Sequence, residues 1–185
     1  KAQYPLYFSM GMFSRLYEGL DGNLWMLGDK SVLAKFDPQT VKTSHFDFSQ
    51  TTGFQEIALS LSLDPGGQLW IGTPHGLLHA VPEGEQLKFY LYKNNPDNRS
   101  SMNCNSVLAL LNDPEQPEQF LWIGTKGGGL NRLDKQNAEV RHFTTREGLP
   151  NNVVYAILPD SSGALWLSTN RSEEHTSELQ SRYVI

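Results

Sequence analysis

The histidines of "HGLLH", His75 and His79, stand four residues apart, the spacing at which a helix would hold two imidazoles on one metal ion. Such a pair supports metal-assisted hydrolysis only with a Glu directly after the first His to act as general base. Gly76 occupies that place, and the surrounding text reads as a hairpin running into a strand, so both histidines are expected to be structural. "GTKGGG", Gly124 to Gly129, has the glycine content of a phosphate cradle. It lacks the GK[ST] ending and a following helix whose N-terminus would hold the anion, and a glycine-rich β-turn is expected. Asp64, Asp113 and Asp160 could offer carboxylates for acid–base work, yet each opens a turn-like run, "DPGG", "DPEQPEQ" and "DSSG". Side-chain to backbone hydrogen bonds account for aspartate there. No serine sits in a G-x-S-x-G motif, and the lone Cys104 rules out an internal disulfide and a cysteine-based zinc cluster. No catalytic residue, metal ligand or cofactor site is expected, and this chain is read as not an enzyme.

The elements that carry these residues announce themselves through tryptophan. The phrases "GNLWMLGD", "GQLWIGTP", "QFLWIGTK" and "GALWLSTN" contain the only four tryptophans, Trp25, Trp70, Trp122 and Trp166, separated by 45, 52 and 44 residues. A fixed period of this length is the signature of a repeat architecture. The match runs on: eight residues after each of the first three tryptophans stand Leu33, Leu78 and Leu130, and twenty-one after stand Phe46, Leu91 and Phe143. His45 and His142 share the position just before Phe46 and Phe143, which marks them as alternating strand residues and not as a catalytic pair.

Each unit holds four segments of strand character, typified by "NVVYAIL", "ALWLST", "GLNRLD" and "EVRHFTT". β-branched and aromatic residues fill them, and Gly, Pro, Asn and Asp lie between them. No window carries a sustained apolar stripe at helical period, so the chain is expected to be all-β. Four antiparallel strands in about 45 residues is the size of a propeller blade. Ser60, Ala109 and Ala156, each four residues before the turn aspartate, are small enough for an innermost strand.

Composition excludes several partners. The net charge is −5 with no basic block, so capture of nucleic acid or of an anionic membrane surface has no electrostatic basis. No apolar run approaches the roughly 18 residues that would span a bilayer as a helix.

"GxLWIGT", "GGLNRLD", "HFTTREGLPNNVVYAIL" and "DSSGALWLST" resemble the two-component regulator propeller repeat, and the resemblance covers Tyr4 to Asn170. "MLGD" in the first copy, and Ser168 in place of Gly in the fourth, depart from the pattern. The resemblance implies a β-propeller fragment of about four blades, from the sensor region of a bacterial hybrid histidine kinase. It further implies a periplasmic location, membrane attachment through segments not in this sequence, and an oligosaccharide or other small ligand. Pairing of propellers as a homodimer, with kinase chemistry elsewhere, belongs to the same expectation. A secreted propeller enzyme such as a lyase, or a protein-interaction scaffold, is the alternative.

If the first strand of each unit is innermost, the turn after "LWIGT" and the connection into the next unit open on one face. Thr73, His75, Thr125, Lys126, Asn151, Asn152 and Tyr155 are the expected ligand contacts on that face, through hydroxyls, amides and aromatic stacking.

The repeat loses register after Asn170, where the slots for Leu and for the next apolar residue hold Glu174 and Ser177. "RSEEHTSELQS", from Arg171, reads as the translation of a widely used short-read sequencing adapter. Residues 1–170 are therefore expected to be propeller blades, and 171–185 an artefactual tail outside the fold.

Overall fold

The computed structural model describes residues 13–28, 30–55, 57–170 and 181–183. It divides into two compact units, Lys1–Ile57 and Ala58–Ile185. The first is one antiparallel meander, β1 (Phe13–Glu18), β2 (Leu24–Gly28), β3 (Val32–Asp37) and β4 (Lys42–Asp47), in that spatial order, followed by the short helix α1 (Ser49–Thr52). Trp25 packs tilted against Phe46, ring centroids 6.0 Å apart, and the Lys35 amine sits 5.2 Å over the indole while bonding Asp21 at 3.1 Å.

The second unit repeats the meander. One sheet is β5 (Ser60–Leu63), β6 (Leu69–Thr73), β7 (Gly76–Glu83) and β8 (Gln86–Tyr92). The next is β9 (Val107–Asn112), β10 (Phe120–Thr125), β11 (Leu130–Asp134) and β12 (Val140–Phe143). A last sheet pairs β13 (Val154–Pro159) with β14 (Leu165–Thr169). The protein is thus all-β, with about four propeller blades. Ser181–Tyr183 runs as a short strand, β15, antiparallel to β14. Backbone groups pair without regard to side chains, and the open edge of β14 offers a template to any extended segment. The remainder of 171–185 lies outside the described residues.

Turn chemistry sets the first hairpin of three blades. Gly22, Gly67 and Gly163 occupy the same slot, three residues before the tryptophan, with φ of 74°, 79° and 83°, a left-handed conformation that glycine adopts without steric cost. The third blade, with the longer "DPEQPEQ" turn, has Gln119 in that slot.

The first strands β5, β9 and β13 lie side by side, as their small residues require. A second glycine slot shows why the blades stack so closely. A Cβ on Gly72 would come within 2.6 Å of the Val107 side chain from the following blade, and one on Gly124 would meet the Val154 carbonyl at 2.8 Å. Around these contacts Trp70 and Trp122 are each buried by the next blade: Trp70 clusters with Val107, Leu121, Ile123 and Val140, and Trp122 with Val154, Ile157, Leu165 and Leu167. Both faces of the middle strands are therefore interior, and β6 is buried along its whole length.

Candidate functional site

The three turn aspartates act as clamps on the repeat. The indole N–H donates to the aspartate Oδ2 in each blade of the second unit: Trp70 to Asp64 at 3.5 Å, Trp122 to Asp113 at 2.8 Å, and Trp166 to Asp160 at 3.2 Å. The other carboxylate oxygen accepts turn amides, those of Gln68, of Glu115 and Gln116, and of Ser162 and Ala164. Hydrogen bonds from Ser162, its hydroxyl first, with those of the Trp166 indole and the turn amides, hold the Asp160 pKa down at about 2. In the third blade the aspartate stands nine residues before its tryptophan instead of six, and the longer turn still delivers the same bond.

Between the second and third blades the clamp extends into a buried ion pair. The Lys135 ammonium, 6% exposed, donates to Asp64 at 3.4 Å, to Asn112 at 3.0 Å and to the Pro117 carbonyl at 2.7 Å. Asn112 in turn donates to the Leu63 carbonyl across the blade boundary at 2.6 Å. Burial presses the Lys135 pKa below its usual value, against the pull of Asp64. His79 stacks parallel on Trp70, centroids 4.0 Å apart, and hydrogen-bonds Gln68. Among the described residues no three His, Cys, Asp or Glu side chains converge as metal ligands.

In the second unit the turn after "LWIGT" and the inter-blade connections lie together. The amides of Gly127 and Gly129, in the turn after "LWIGT", donate to the Asn152 carbonyl at 2.9 and 2.8 Å, and Lys126 N donates to Ser106 O at 2.9 Å. The turn and the connections on either side of it therefore form one loop cluster.

Individual residues behave less uniformly. Thr73 and Thr125 are fully buried; their hydroxyls donate to the carbonyls of Gly76 and Gly129 and accept the amides of His75 and Gly128. These hydroxyls hold turns and are not presented to a ligand. Asn151 accepts the Val153 amide in a local turn. Asn152 Oδ1 accepts Thr145 N at 2.8 Å, the same closure that Asn105 makes with Asn94 one blade earlier at 2.7 Å. Half-buried His75 sits in the tight turn between β6 and β7, and Lys126 is exposed at the loop cluster. Tyr155 is 48% exposed at a bulge, where the β13–β14 register skips it between Val154 and Ala156. The same bulge recurs at Leu108 and, in the first unit, at Ser14. A bulge turns one side chain per strand out of the pleat, so Tyr155 is set at a repeated exit point. No periodicity of residue type marks these positions, and sequence reading missed the device.

A polar cavity of about 360 Å³ opens beside this cluster, lined by Asn103, His142, Thr144, Thr145, Arg146, Glu147 and Asn152. Only Asn152 was expected as a ligand contact. Glu147 Oε2 accepts both the amide and the hydroxyl of Thr144 at 2.8 and 2.7 Å, which lowers its pKa. His142 Nε2 lies 2.7 Å from the Ser101 carbonyl and so carries the proton there. The signal for this site was the length of the connection "TTREGLPNN", longer than a strand-to-strand turn needs.

Four-stranded meanders stacked through a tryptophan slot define a β-propeller repeat protein. Residues 148–171 match the family model described as two component regulator propeller. No curated protein matches the chain. Among solved structures, one similar chain is the extracellular domain assigned to a one component system of B. thetaiotaomicron. It is 21% identical, with a TM-score of 0.48, over 82% of this chain and 25% of its own length. Virginiamycin B lyase from Staphylococcus aureus is 15% identical over 97% of this chain and 57% of its own, with a TM-score of 0.66. PorZ, a surface component of the type-IX secretion system of Porphyromonas gingivalis, is 17% identical over 87% of this chain and 25% of its own, with a TM-score of 0.61. The chain therefore spans between a quarter and three fifths of these proteins, and the last two share its fold.

Proposed function

We propose that this chain is part of a ligand-sensing propeller in the extracytoplasmic region of a membrane-anchored two-component signalling protein. The observation that carries the reading is the match of residues 148–171 to the two component regulator propeller family. The ligand is an oligosaccharide held on the loop cluster, with Lys126, His75, Asn152 and Tyr155 as its contacts. Phosphoryl chemistry belongs to another part of the full-length protein. Binding shifts the geometry of paired propellers in a homodimer only insofar as the ligand prefers one of two arrangements. The location is periplasmic. Residues 1–170 are the propeller part, and the adapter-like text after Asn170 is foreign to it.

The test is the parent reading frame across the junction of Asn170 and Arg171. A resumed repeat running on to a transmembrane segment and a kinase is expected. A natural stop codon soon after the junction would overturn the sensor reading.

A further inference from the structure

Blade boundaries in the second unit are built from fixed repeat slots. The rear face of a blade carries the tryptophan and its partner on the first strand, Leu111 for Trp122 and Leu158 for Trp166. The front face of the following blade closes over it. Leu110, Leu121 and Ile123 cover Trp70, and Ile157, Leu165 and Leu167 cover Trp122. Leu110 and Ile157 hold one slot, the residue just before the tryptophan's partner. Leu121 and Leu165 hold another, the residue just before the tryptophan itself.

A rear face and a front face of this kind both lie open to solvent. On β13 and β14, Leu158 is 54% exposed and Trp166 is only partly buried, although Ser181–Tyr183 pairs along the edge of β14. On β1 and β2, Leu16 stands just before Tyr17, the partner of Trp25, and so holds the slot of Leu110 and Ile157. It is 61% exposed. Leu24 precedes Trp25, in the slot of Leu121 and Leu165, and is partly exposed. Met26, in the slot of Ile123 and Leu167, is buried, so Leu16 and Leu24 are the open part of that face. Withdrawing these side chains from water is the favourable term that either face has to offer.

We infer that this chain associates head to tail with a second copy of itself, the Leu16 and Leu24 face of one copy packing on the Trp166 and Leu158 face of the other. The packing follows that of Leu110 and Leu121 on Trp70, and of Ile157 and Leu165 on Trp122. The chain thus carries both halves of an interface that it already builds internally, with the same residue classes in the same slots. Such a contact joins unlike surfaces and is heterologous. Each copy keeps a face for a further copy, and assembly runs past the dimer unless the ring closes. This association is independent of the ligand-sensing reading.

The experiment is sedimentation velocity and light scattering over a concentration series of the full chain, of Leu16→Lys, of Leu158→Lys, and of the two variants mixed in equal amounts. Both leucines are more than half exposed, so each variant should keep the thermal midpoint of the parent. The parent is expected to associate. Each variant alone should need a roughly 10- to 100-fold higher concentration for the same degree of association, the effect of losing one buried leucine. Mixing should restore pairing of parental strength and stop at the dimer. The Leu158→Lys chain supplies an intact Leu16 face, and the Leu16→Lys chain an intact Trp166 face. A back-to-back pairing of two Trp166 faces would instead leave Leu16→Lys associating like the parent, with no rescue on mixing, and that result overturns the inference. A parent chain that stays monomeric across the series overturns it as well.

Discussion

At the scale of single residues, the carboxylates and imidazoles that first suggest chemistry are taken up by the blade. Asp64, Asp113 and Asp160 each tie a turn to an indole, which explains why aspartate and tryptophan recur together. Burial against Trp70 holds the His79 pKa below the ordinary value of 6.5, with Asp64 acting against this and Lys135 in the same direction. The unfolded chain therefore binds this proton more readily than the folded one. Stability from this group is complete above about pH 6.5 and declines as the pH falls below it toward the folded-state value. Urea midpoints at about pH 7.5 and about pH 5.5 should drop on acidification, and His79→Phe should flatten much of that drop. An equal slope in the variant would show that other groups carry the dependence. The pair of Lys135 and Asp64 has a different character, since a buried ion pair returns little net stability over an apolar substitute but is costly to break from one side.

At the scale of the element, the glycine of "LWIGT" is set by the neighbouring blade. Gly72 and Gly124 leave room for Val107 and Val154, and a side chain in either place would press on the next blade's first strand. Gly124→Ala should cost about 1–3 kcal/mol by overpacking against the Val154 backbone, measured by chemical denaturation. Ser168 fills the same slot in the fourth blade, and Ser168→Ala should change stability by less than about 0.5 kcal/mol. If both substitutions proved equally mild, the close approach of the blades would not be what selects glycine. The bulge at Leu108 and Tyr155 is likewise an element property, arising where β9 and β13 must turn a residue outward at the loop face.

At the scale of the molecule, the fourth blade, last of the second unit, differs from the two before it. Trp70 and Trp122 are covered by a following blade, whereas Trp166 is only partly buried and its cross-strand partner Leu158 is 54% exposed. An apolar sheet face left open in this way favours association. The chain is expected to self-associate in light-scattering measurements at concentrations where Leu158→Lys is monodisperse. A monomeric parent chain would contradict this.

The sequence by itself determined the all-β class, the number of repeats, the strand order and the turn role of the aspartates, because these follow from local period, composition and turn chemistry. It also placed the turn after "LWIGT" and the inter-blade connection on one face. It did not decide which residues of that face are open to a ligand. Threonine reads the same whether its hydroxyl meets solvent or closes a turn, and only the fold buries Thr73 and Thr125 while exposing Arg146. Nor does the spacing of Asn103, His142 and Asn152 suggest a common cavity, because the three come together through the packing of two connections that are distant in sequence. Tertiary structure decided the site for that reason: hydrogen-bond satisfaction and burial belong to the assembled blades, and no residue type carries them alone.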